Sequence, residues 1–319
     1  MKRNILSIII IFIHFIGCND NETNPVENFH RNDNAYKVDI SQRGSFQNPS
    51  WSPDSKSLLF TRFLNGYNKE PADLQIIDLD KNNVKTLVSD GSGNINLPGS
   101  SWNSRINTIV FSSTRDPHDE IFIIKDTGNP GDEVKITNRQ NKVSYEPSIS
   151  PDGQFIVFES HLIDVEENGI IVKYKIDGSE PYQELTDPNN DCRQPNWSPI
   201  GKLILYQRLF EGQWDIWVMN EDGKNHSKVT KGNGDKTDAT FSPDGQNIVY
   251  SSNEGDIDFT NLFIIPVSGG NSLRISNYNG YDGAPSWSPD GDKIAFESNK
   301  ADPDGSAGTT IWIINVPHY

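Results

Sequence analysis

Six times along this chain, a large apolar residue is followed nine positions later by phenylalanine or tyrosine, with a turn between the two. The pairs are Trp51/Phe60, Trp102/Phe111, Ile149/Phe158, Trp197/Tyr206, Phe241/Tyr250 and Trp287/Phe296. Successive pairs start 44 to 51 residues apart. A period in this range is typical of proteins built from stacked or radially arranged units. The repeat therefore constrains the fold more strongly than any local pattern.

Each repeat predicts a strand, a tight turn and a second strand. In the last repeat, Trp287 is followed by Ser-Pro-Asp-Gly and then by the apolar run Ile294, Ala295 and Phe296. Proline presets the backbone angle at the second turn position, and glycine accepts the positive angle that closes the turn. Because proline and glycine recur inside the repeats, helices are a poor interpretation.

Further short segments rich in β-branched and aromatic residues follow each hairpin, as expected of half-buried strands. The third-strand segments are 74–77, 121–124, 171–174, 216–219, 262–265 and 311–314. The fourth-strand segments are 85–88, 134–137, 183–186, 227–230 and 273–276. Six units of four strands predict an all-β fold, a six-bladed β-propeller of four-stranded antiparallel blades formed by residues 36–319.

The last unit lacks a fourth strand, and a matching segment occurs near the beginning of the chain. Residues 36–41 resemble the other fourth strands and precede the first tryptophan by a similar distance. We therefore expect this N-terminal strand to complete the last blade and to leave no open sheet edge. The repeated aromatic residues are predicted to pack between blades, and the Pro-Asp-Gly sequences to form turns. Neither set is predicted to be a site.

The turn and strand motifs resemble the TolB-type, WD-like propeller repeats. The matching segments are 51–54, 150–153, 197–199, 241–245, 287–291, and 215–220 with the turn at 222–223. The residues at 102–105 depart from the pattern. The resemblance implies the propeller and an envelope role, but residues 19–35 are too few for the smaller domain that precedes the TolB propeller.

The N-terminus has the pattern of a bacterial secretory leader. Lys2 and Arg3 precede an apolar run from Ile5 to Ile16, which is shorter than the roughly 20 residues of a membrane-spanning helix. The following Gly17-Cys18 resembles a lipoprotein box. This implies a signal peptide at residues 1–17, lipid on Cys18 and a polar tether at 18–35. An ordinary signal peptide with an incidental cysteine is the alternative.

The expected location is the cell envelope, as an outer-membrane lipoprotein whose periplasmic or surface orientation stays open. Membrane contact is expected through the lipid, because 44 acidic against 28 basic side chains give a net charge of −16. The same charge argues against a nucleic-acid partner. If Cys18 carries lipid, Cys192 has no partner in the chain and is expected to be a buried small residue. We expect a monomer.

One face of such a propeller carries the short Pro-Asp-Gly turns, and the opposite face carries longer loops at 65–73, 115–120, 161–169, 209–215, 253–261 and 299–309. Function tends to lie on variable loops held by a rigid scaffold. The residues predicted to surround the channel on that face are Asn48, Tyr145, Glu146, Arg193, Gln194, Lys236, Asp238 and Asp282. They could bind a polar ligand or an ion, or could form a solvated rim.

Catalytic motifs are absent from the sequence. There is no Gly-x-Ser-x-Gly elbow and no His-Glu-x-x-His motif, so we assign no catalytic residue, no metal ligand and no cofactor. A non-enzymatic binding or scaffold propeller is therefore favoured, with an envelope protein or a glycan as partner. The alternative is a polysaccharide lyase that uses channel histidines, here His118 and His161, and a divalent metal. A third possibility is an accessory subunit of a transport or assembly machine.

Overall fold

A computed structural model describes residues 31–89, 91, 95–96, 101–103, 105–115, 118–165, 167–255, 259–299 and 308–317. This part of the chain contains 25 strands that form six antiparallel sheets. Cys18, the predicted signal peptide and the first residues of the predicted tether lie outside the described residues. None of the described residues forms a helix long and apolar enough to cross a membrane.

The sheets follow one another around the propeller in chain order. Blade 1 contains β2 (Ser45–Trp51), β3 (Ser57–Phe63), β4 (Ala72–Asp78) and β5 (Asn83–Val88). Blade 2 contains β6 (Ile95–Asn96), β7 (Trp102–Asn103), β8 (Thr108–Ser113), β9 (Glu120–Lys125) and β10 (Val134–Lys135). Blade 3 contains β11 (Lys142–Ile149), β12 (Phe155–Leu162), β13 (Ile170–Lys175) and β14 (Gln183–Glu184). Blade 4 contains β15 (Cys192–Trp197), β16 (Leu203–Phe210), β17 (Gln213–Asn220) and β18 (Ser227–Lys228). Blade 5 contains β19 (Lys236–Phe241), β20 (Asn247–Ser252), β21 (Asn261–Pro266) and β22 (Leu273–Arg274). Blade 6 contains β23 (Asp282–Trp287), β24 (Lys293–Ser298), β25 (Thr310–Asn315) and the N-terminal strand β1 (Tyr36–Lys37).

Each blade is a meander, and blade 2 departs from the pattern as its unusual sequence suggested. Among the described residues before β8, two short strands, β6 and β7, both pair with β8. The N-terminal strand closes the propeller: β1 pairs with β25, with Tyr36 opposite Ile313 and Lys37 opposite Trp312. The Val38 amide donates a further hydrogen bond of 2.9 Å to the Ile311 carbonyl. The predicted six-bladed fold and its closure by the N-terminal strand are confirmed.

The hydrophobic core consists of six clusters, each shared by two neighbouring blades. The cluster that joins the last blade to the first includes Ala295 and Ile313 from blade 6 and Trp51 and Phe60 from blade 1. The predicted aromatic anchors of the second strands are buried in every blade. Burial of one such ring contributes about 2–3 kcal/mol. The regular aromatic residues therefore hold blade to blade, as the sequence predicted.

The Ser-Pro-Asp turns share one hydrogen-bond pattern in four blades. The serine Oγ donates a 2.6 Å hydrogen bond to the aspartate Oδ1 and accepts a 2.9 Å hydrogen bond from the amide five residues after the serine. The pairs are Ser52/Asp54, Ser150/Asp152, Ser242/Asp244 and Ser288/Asp290. Blade 4 has Ile200 in place of the aspartate. We call this end of the propeller the turn face.

The first described residue, Arg31, is anchored between blades 5 and 6. Its guanidinium pairs with Asp282 at 2.7 Å and with Asp33 at 3.0 Å. The Arg31 Cζ also lies 4.7 to 5.1 Å from the ring centres of Tyr278, Phe296 and Trp312. A buried guanidinium needs such partners, because burial of an unpaired charge is costly. The chain is therefore fixed to the propeller before β1 begins.

Candidate functional site

The innermost strands of five blades contain a β-bulge at the same position. The residue at each bulge has a positive φ of 47° to 53°, which is uncommon outside glycine. These residues are Asn48, Glu146, Gln194, Asp238 and Ala284. In four of the blades a proline follows, which has no amide hydrogen for the strand ladder and is found at bulges. We call the space that these five residues surround the channel mouth, and its end of the propeller the mouth face.

Side chains from three blades meet directly at the channel mouth. Gln194 Nε2 donates hydrogen bonds to Asp238 Oδ1 at 2.9 Å and to Glu146 Oε1 at 3.3 Å. In return, Gln194 Oε1 accepts a 3.0 Å hydrogen bond from the Asp238 amide. The glutamine therefore connects two carboxylates that lie about 90 residues apart in the chain.

Two further carboxylates extend into the same region from second strands. Glu159 and Glu297 directly follow the aromatic anchors Phe158 and Phe296, at equivalent positions of blades 3 and 6. Glu159 Oε2 accepts a 3.3 Å hydrogen bond from the Gln194 amide, and Glu297 Oε2 accepts a 3.0 Å bond from the Asn48 amide. In both cases, a carboxylate of one blade binds the bulge amide of the next.

Three carboxyl groups at the channel mouth, those of Glu146, Glu159 and Glu297, hold their protons to unusually high pH because their pKa values are raised. Burial raises the pKa of Glu297 to about 8, and the charge of Asp238 adds to this effect, while the Asn48 amide opposes it. Burial also raises the pKa of both Glu146 and Glu159, which are hydrogen-bonded to each other, and proximity to other carboxylates raises both further. The channel mouth is therefore partly protonated near neutral pH.

One cation, Arg193, lies beside this group of carboxylates. Its Nη2 pairs with Asp191 at 2.8 Å, while its Nε lies 3.8 Å from Glu159 Oε1. Its Cζ also lies 5.2 Å from the ring centre of Trp214. Arg193 therefore lies between two carboxylates, hydrogen-bonded to Asp191 and in an ion pair with Glu159.

In blade 6 the channel mouth is filled by tyrosines from adjacent segments. The innermost strand of blade 6 carries Gly283 and Ala284 there, and a β-carbon on Gly283 would lie only 2.0 Å from the Tyr281 hydroxyl. The Tyr67 hydroxyl donates a 3.4 Å hydrogen bond to Glu297 Oε1, and its ring meets that of Tyr281 edge-on at 6.5 Å. Burial raises the pKa of both tyrosines, so both remain hydrogen-bond donors at physiological pH.

Six of the eight predicted rim residues lie around the channel mouth: Asn48, Tyr145, Glu146, Arg193, Gln194 and Asp238. The structure does not bring Lys236 and Asp282 to it. Lys236 Nζ donates a 2.8 Å hydrogen bond to the Gly232 carbonyl, and Asp282 pairs with Arg31. Both occupy the register position of Phe46 and Cys192, which pack in the clusters between blades.

Glu159, Glu297, Tyr67 and Tyr281 were not predicted from the sequence. The two glutamates had a recognisable signal, since each interrupts an apolar second strand directly after its aromatic anchor. The tyrosines had none, because both come from irregular segments whose position depends on neighbouring blades. Cys192 is buried and unpaired, as predicted.

Of the ten large apolar side chains that are exposed among the described residues, six lie on the mouth face. Leu64, Leu162, Val165, Leu209, Phe210 and Phe259 lie at the ends of second strands or in the loops that follow them. The predicted loop at 209–215 is instead a strand extension, with Phe210 paired to Gln213 through a turn at Glu211 and Gly212. Both turn residues have positive φ, which matches the twist of a two-residue hairpin. Phe210 therefore lies on a rigid projection.

The two histidines of the predicted lyase alternative lie in separate settings. His161 Nε2 lies 2.5 Å from the Tyr145 hydroxyl, and His118 Nε2 lies 3.6 Å from Glu120 Oε1. Within the described part of the chain, no group of three or more His, Cys, Asp or Glu residues is arranged to hold a metal ion. The lyase alternative stays a prediction, and none of these contacts favours it.

The TolB beta propeller domain family matches residues 31–240 of this chain. The chain belongs to that family. The Tol-Pal system protein TolB of Francisella tularensis is 26% identical over 234 residues, which cover 73% of this chain and 46% of the relative. The chain thus spans less than half of the length of this TolB relative.

Solved structures with the same fold include proteins of different kinds. TolB from Acinetobacter baumannii superposes with a TM-score of 0.61 at 18% identity, over 86% of this chain and 64% of that protein. An oligogalacturonate lyase from Vibrio parahaemolyticus superposes with a TM-score of 0.59 at 14% identity, over 91% and 97%. At such identities these structures establish the fold alone, and function depends on the site.

Proposed function

We propose that this protein is a non-catalytic binding propeller of the cell envelope that holds an envelope protein or a glycan on its mouth face. The observation that carries the proposal is the convergence of polar side chains from several blades at the channel mouth, surrounded by exposed apolar residues. On the turn face, by contrast, serine and aspartate side chains bind their own turns. Exposed large apolar side chains grouped on one face are typical of interaction surfaces.

The envelope location is supported by the leader pattern and by the family. A relative named as a Tol-Pal system protein covers most of this chain, although the chain covers less than half of that relative. We further propose lipid on Cys18, a tether that leads to the anchored Arg31, and a monomeric propeller. Accessory function in an envelope assembly is the form of this role that the TolB resemblance suggests.

Capture of partners from the native envelope tests the binding role. The affinity-tagged protein is cross-linked in its own cells, and co-purified material is compared between wild type and a Leu209→Ser/Phe210→Ser variant of the projecting hairpin. Ile200→Ser is the matched control, because Ile200 is an exposed apolar residue of the turn face. We expect the hairpin variant to lose at least about tenfold of the captured partner at an unchanged melting temperature. Equal capture by all three proteins would disprove the assignment of the mouth face.

Lipidation has a separate test. Growth with an alkyne-bearing fatty acid should label the wild-type protein, and Cys18→Ser should abolish both the label and recovery in the membrane fraction. Cys192→Ser is the control, since Cys192 is buried in the propeller and should leave labelling unchanged. Persistence of label in Cys18→Ser would contradict the lipid anchor without affecting the binding role.

A further inference from the structure

Among the described residues, five arginines pack over aromatic rings, and four of these also pair with a carboxylate. The pairs are Arg31 with Asp33 and Asp282, Arg115 with Glu133, Arg139 with Glu184, and Arg193 with Asp191. The fifth, Arg208 of β16, forms no ion pair within the described part of the chain, and its one hydrogen bond there is a 2.6 Å bond from Nη2 to Asn190 Oδ1. Its Nε, which is buried, donates none. A guanidinium can donate several hydrogen bonds, so Arg208 retains the capacity to bind an anion.

The carboxylate that faces Arg208 across the strand pair is bound by other cations. Asp215 lies opposite Arg208 in the pairing of β16 with β17. Its Oδ2 pairs with Lys228 Nζ at 2.6 Å, and its Oδ1 lies 3.7 Å from Nζ of the buried Lys236. Arg208 is therefore left without an anionic partner among the described residues, although the chain as a whole is acidic.

Arg208 shares one surface of the blade 4 hairpin with two aromatic side chains and a lysine. Its Cζ lies 4.7 Å from the ring centre of Trp217 and 5.6 Å from that of Phe210. Lys228 Nζ lies 5.7 Å from the same Phe210 ring centre. The Phe210 side chain is 38% exposed, so a group that contacts its ring from solvent comes close to both cations. We call the surface formed by Arg208, Phe210, Trp217 and Lys228 the hairpin face.

We propose that the hairpin face binds the carboxylate of an aspartate or glutamate that lies beside an apolar residue in a partner protein. Arginine and lysine donate charge-assisted hydrogen bonds to a carboxylate, and the edges of aromatic rings are electropositive. The apolar neighbour contacts Phe210 and Leu209, which are both exposed on the same hairpin. The inference rests on the proposed binding function and specifies the chemistry of the partner.

The charge of the whole chain favours a single carboxylate over a polyanion as the ligand. An acidic polysaccharide carries many negative groups and must approach a chain with a net charge of −16. Repulsion from the rest of the surface opposes such a ligand, whereas one carboxylate interacts mainly with the nearby cations of blade 4. Leu209 and Phe210 also offer an apolar contact that a hydrophilic sugar chain leaves largely unused. A protein segment therefore fits the hairpin face better than an acidic glycan does.

Selection from a random heptapeptide display library on the purified protein tests the ligand class. We expect enriched peptides to contain one aspartate or glutamate beside an apolar residue. They should bind Arg208→Met at least about tenfold more weakly, because methionine keeps an apolar stem over Trp217 but carries no charge. Lys173→Met is the matched control, since Lys173 Nζ also lies over two aromatic rings, those of Phe155 and Trp197, but on the turn face. Melting temperatures report whether each variant folds.

A double-mutant cycle with a recovered peptide assigns the contact to Arg208. Replacement of the acidic residue of the peptide by its amide should weaken binding to wild type at least about tenfold, but binding to Arg208→Met less than about twofold, because the charge has already lost its partner. Arg208→Lys keeps the positive charge and should retain part of the affinity. If the amide replacement weakens binding to wild type and to Arg208→Met equally, the carboxylate does not contact Arg208 and the inference is wrong.

The remaining outcomes separate this inference from the binding function. Enriched peptides that lack an acidic residue but still require Leu209 and Phe210 would overturn the inference and leave the mouth face as the binding surface. The same holds if no peptide is enriched while capture from the envelope still depends on the hairpin. Binding of alginate, a polymer of uronic acids, that requires Arg208 in the absence of such peptides would replace the protein partner by an acidic glycan. Peptides and envelope partners that bind wild type and Leu209→Ser/Phe210→Ser equally would contradict the proposed function itself.

Discussion

The two faces of the propeller use repetition in opposite ways. On the turn face, four blades repeat the same side chains and the same hydrogen bonds, with serine to aspartate distances of 2.6 Å. On the mouth face, five blades repeat the same bulged backbone, but the side chain changes from blade to blade among Asn, Glu, Gln, Asp and Ala. The first arrangement stabilises the turns, and the second presents a different chemical group at each equivalent position.

The difference extends to what the polar side chains bind. Turn-face serines and aspartates bind within their own turns, whereas mouth-face carboxylates bind amides and side chains of the next blade. A substitution on the turn face should therefore affect stability alone. A substitution at the channel mouth should affect recognition and the response of stability to pH.

The largest expected effect concerns a residue near the mouth face that belongs to the scaffold. Asp282→Ala should destabilise the protein by about 3 kcal/mol, because it leaves the buried Arg31 guanidinium with Asp33 as its remaining ion-pair partner. Urea unfolding measures this loss, and the double variant Arg31→Ala/Asp282→Ala should recover part of it. Unchanged stability, or a loss confined to partner capture, would place Asp282 in the binding site instead.

The next effect is a change in the free energy of unfolding with pH, which distinguishes the channel mouth from the turn face. The folded protein binds the Glu297 proton more tightly than the unfolded chain, so the stability from this group is full below pH 4.5 and is lost as pH rises through 8. Wild type should lose about 2–3 kcal/mol between pH 6 and pH 9 that Glu297→Gln does not lose. Chemical unfolding at both pH values measures it. Glu184→Gln is the control, because the pKa of Glu184 is lowered and its carboxyl group stays ionised in this range. Equal losses of stability between pH 6 and pH 9 in wild type, Glu297→Gln and Glu184→Gln would refute the assignment of the raised pKa to Glu297.

A smaller effect tests the turn face with a matched pair. Ser242→Ala removes the hydroxyl that binds Asp244 and the Asn247 amide, and should cost about 1 kcal/mol. Ser198→Ala should cost close to nothing, because Ser198 Oγ accepts and donates no hydrogen bond among the residues described. The urea concentrations at the unfolding midpoints of wild type and the two variants measure these losses of stability. Equal losses would show that the hydrogen-bonded turn contributes nothing specific.

The smallest effect tests the turn face by adding the missing hydrogen bond to blade 4 instead of removing one. Ile200→Asp gives blade 4 the Ser-Pro-Asp-Gly sequence of its neighbours and supplies an acceptor for the Ser198 hydroxyl. Ile200 also contacts Gly245, so we expect a net gain of only about 0.5 kcal/mol and a rise of about 1–2 °C in melting temperature. Ile200→Ser loses the same contact without restoring the aspartate and should show no rise. A destabilised Ile200→Asp would mean that the apolar contact dominates.

Much of the fold followed from the sequence because its signals are local and repeated. The apolar anchors, the turn residues and the displaced fourth strand each occur at fixed spacing, and six copies make the pattern unambiguous. In blade 2, where the sequence after Trp102 departs from the repeat, the described residues form two short strands, β6 and β7, that both pair with β8. The extension of β16 and β17 through Glu211 and Gly212 was missed, because a two-residue hairpin and a short loop have similar compositions.

The candidate site was only partly predictable, for a reason of register. Successive side chains of a strand face opposite sides, so an error of one residue moves a side chain from the channel to the space between blades. Lys236 and Asp282 lie two residues before the bulge residues Asp238 and Ala284, and the extra residue of the bulge shifts the alternation between them. In four blades a proline two residues before the first anchor marks the bulge: Pro49, Pro147, Pro195 and Pro285. The direction of the side chains beside the bulge depends on how the first strand of each blade pairs with the second, which the sequence does not show.

The sequence by itself determined the number of blades, the turn chemistry, the aromatic packing and the closure of the propeller by its N-terminal strand, because each follows from a local pattern that recurs at a nearly fixed spacing. The tertiary structure alone decided that Glu159 and Glu297 bind the bulge amides of the next blades and that Tyr67 and Tyr281 fill the place left open by Gly283. These contacts join residues far apart in the chain, and their distances are set by the assembly of whole blades around a common axis.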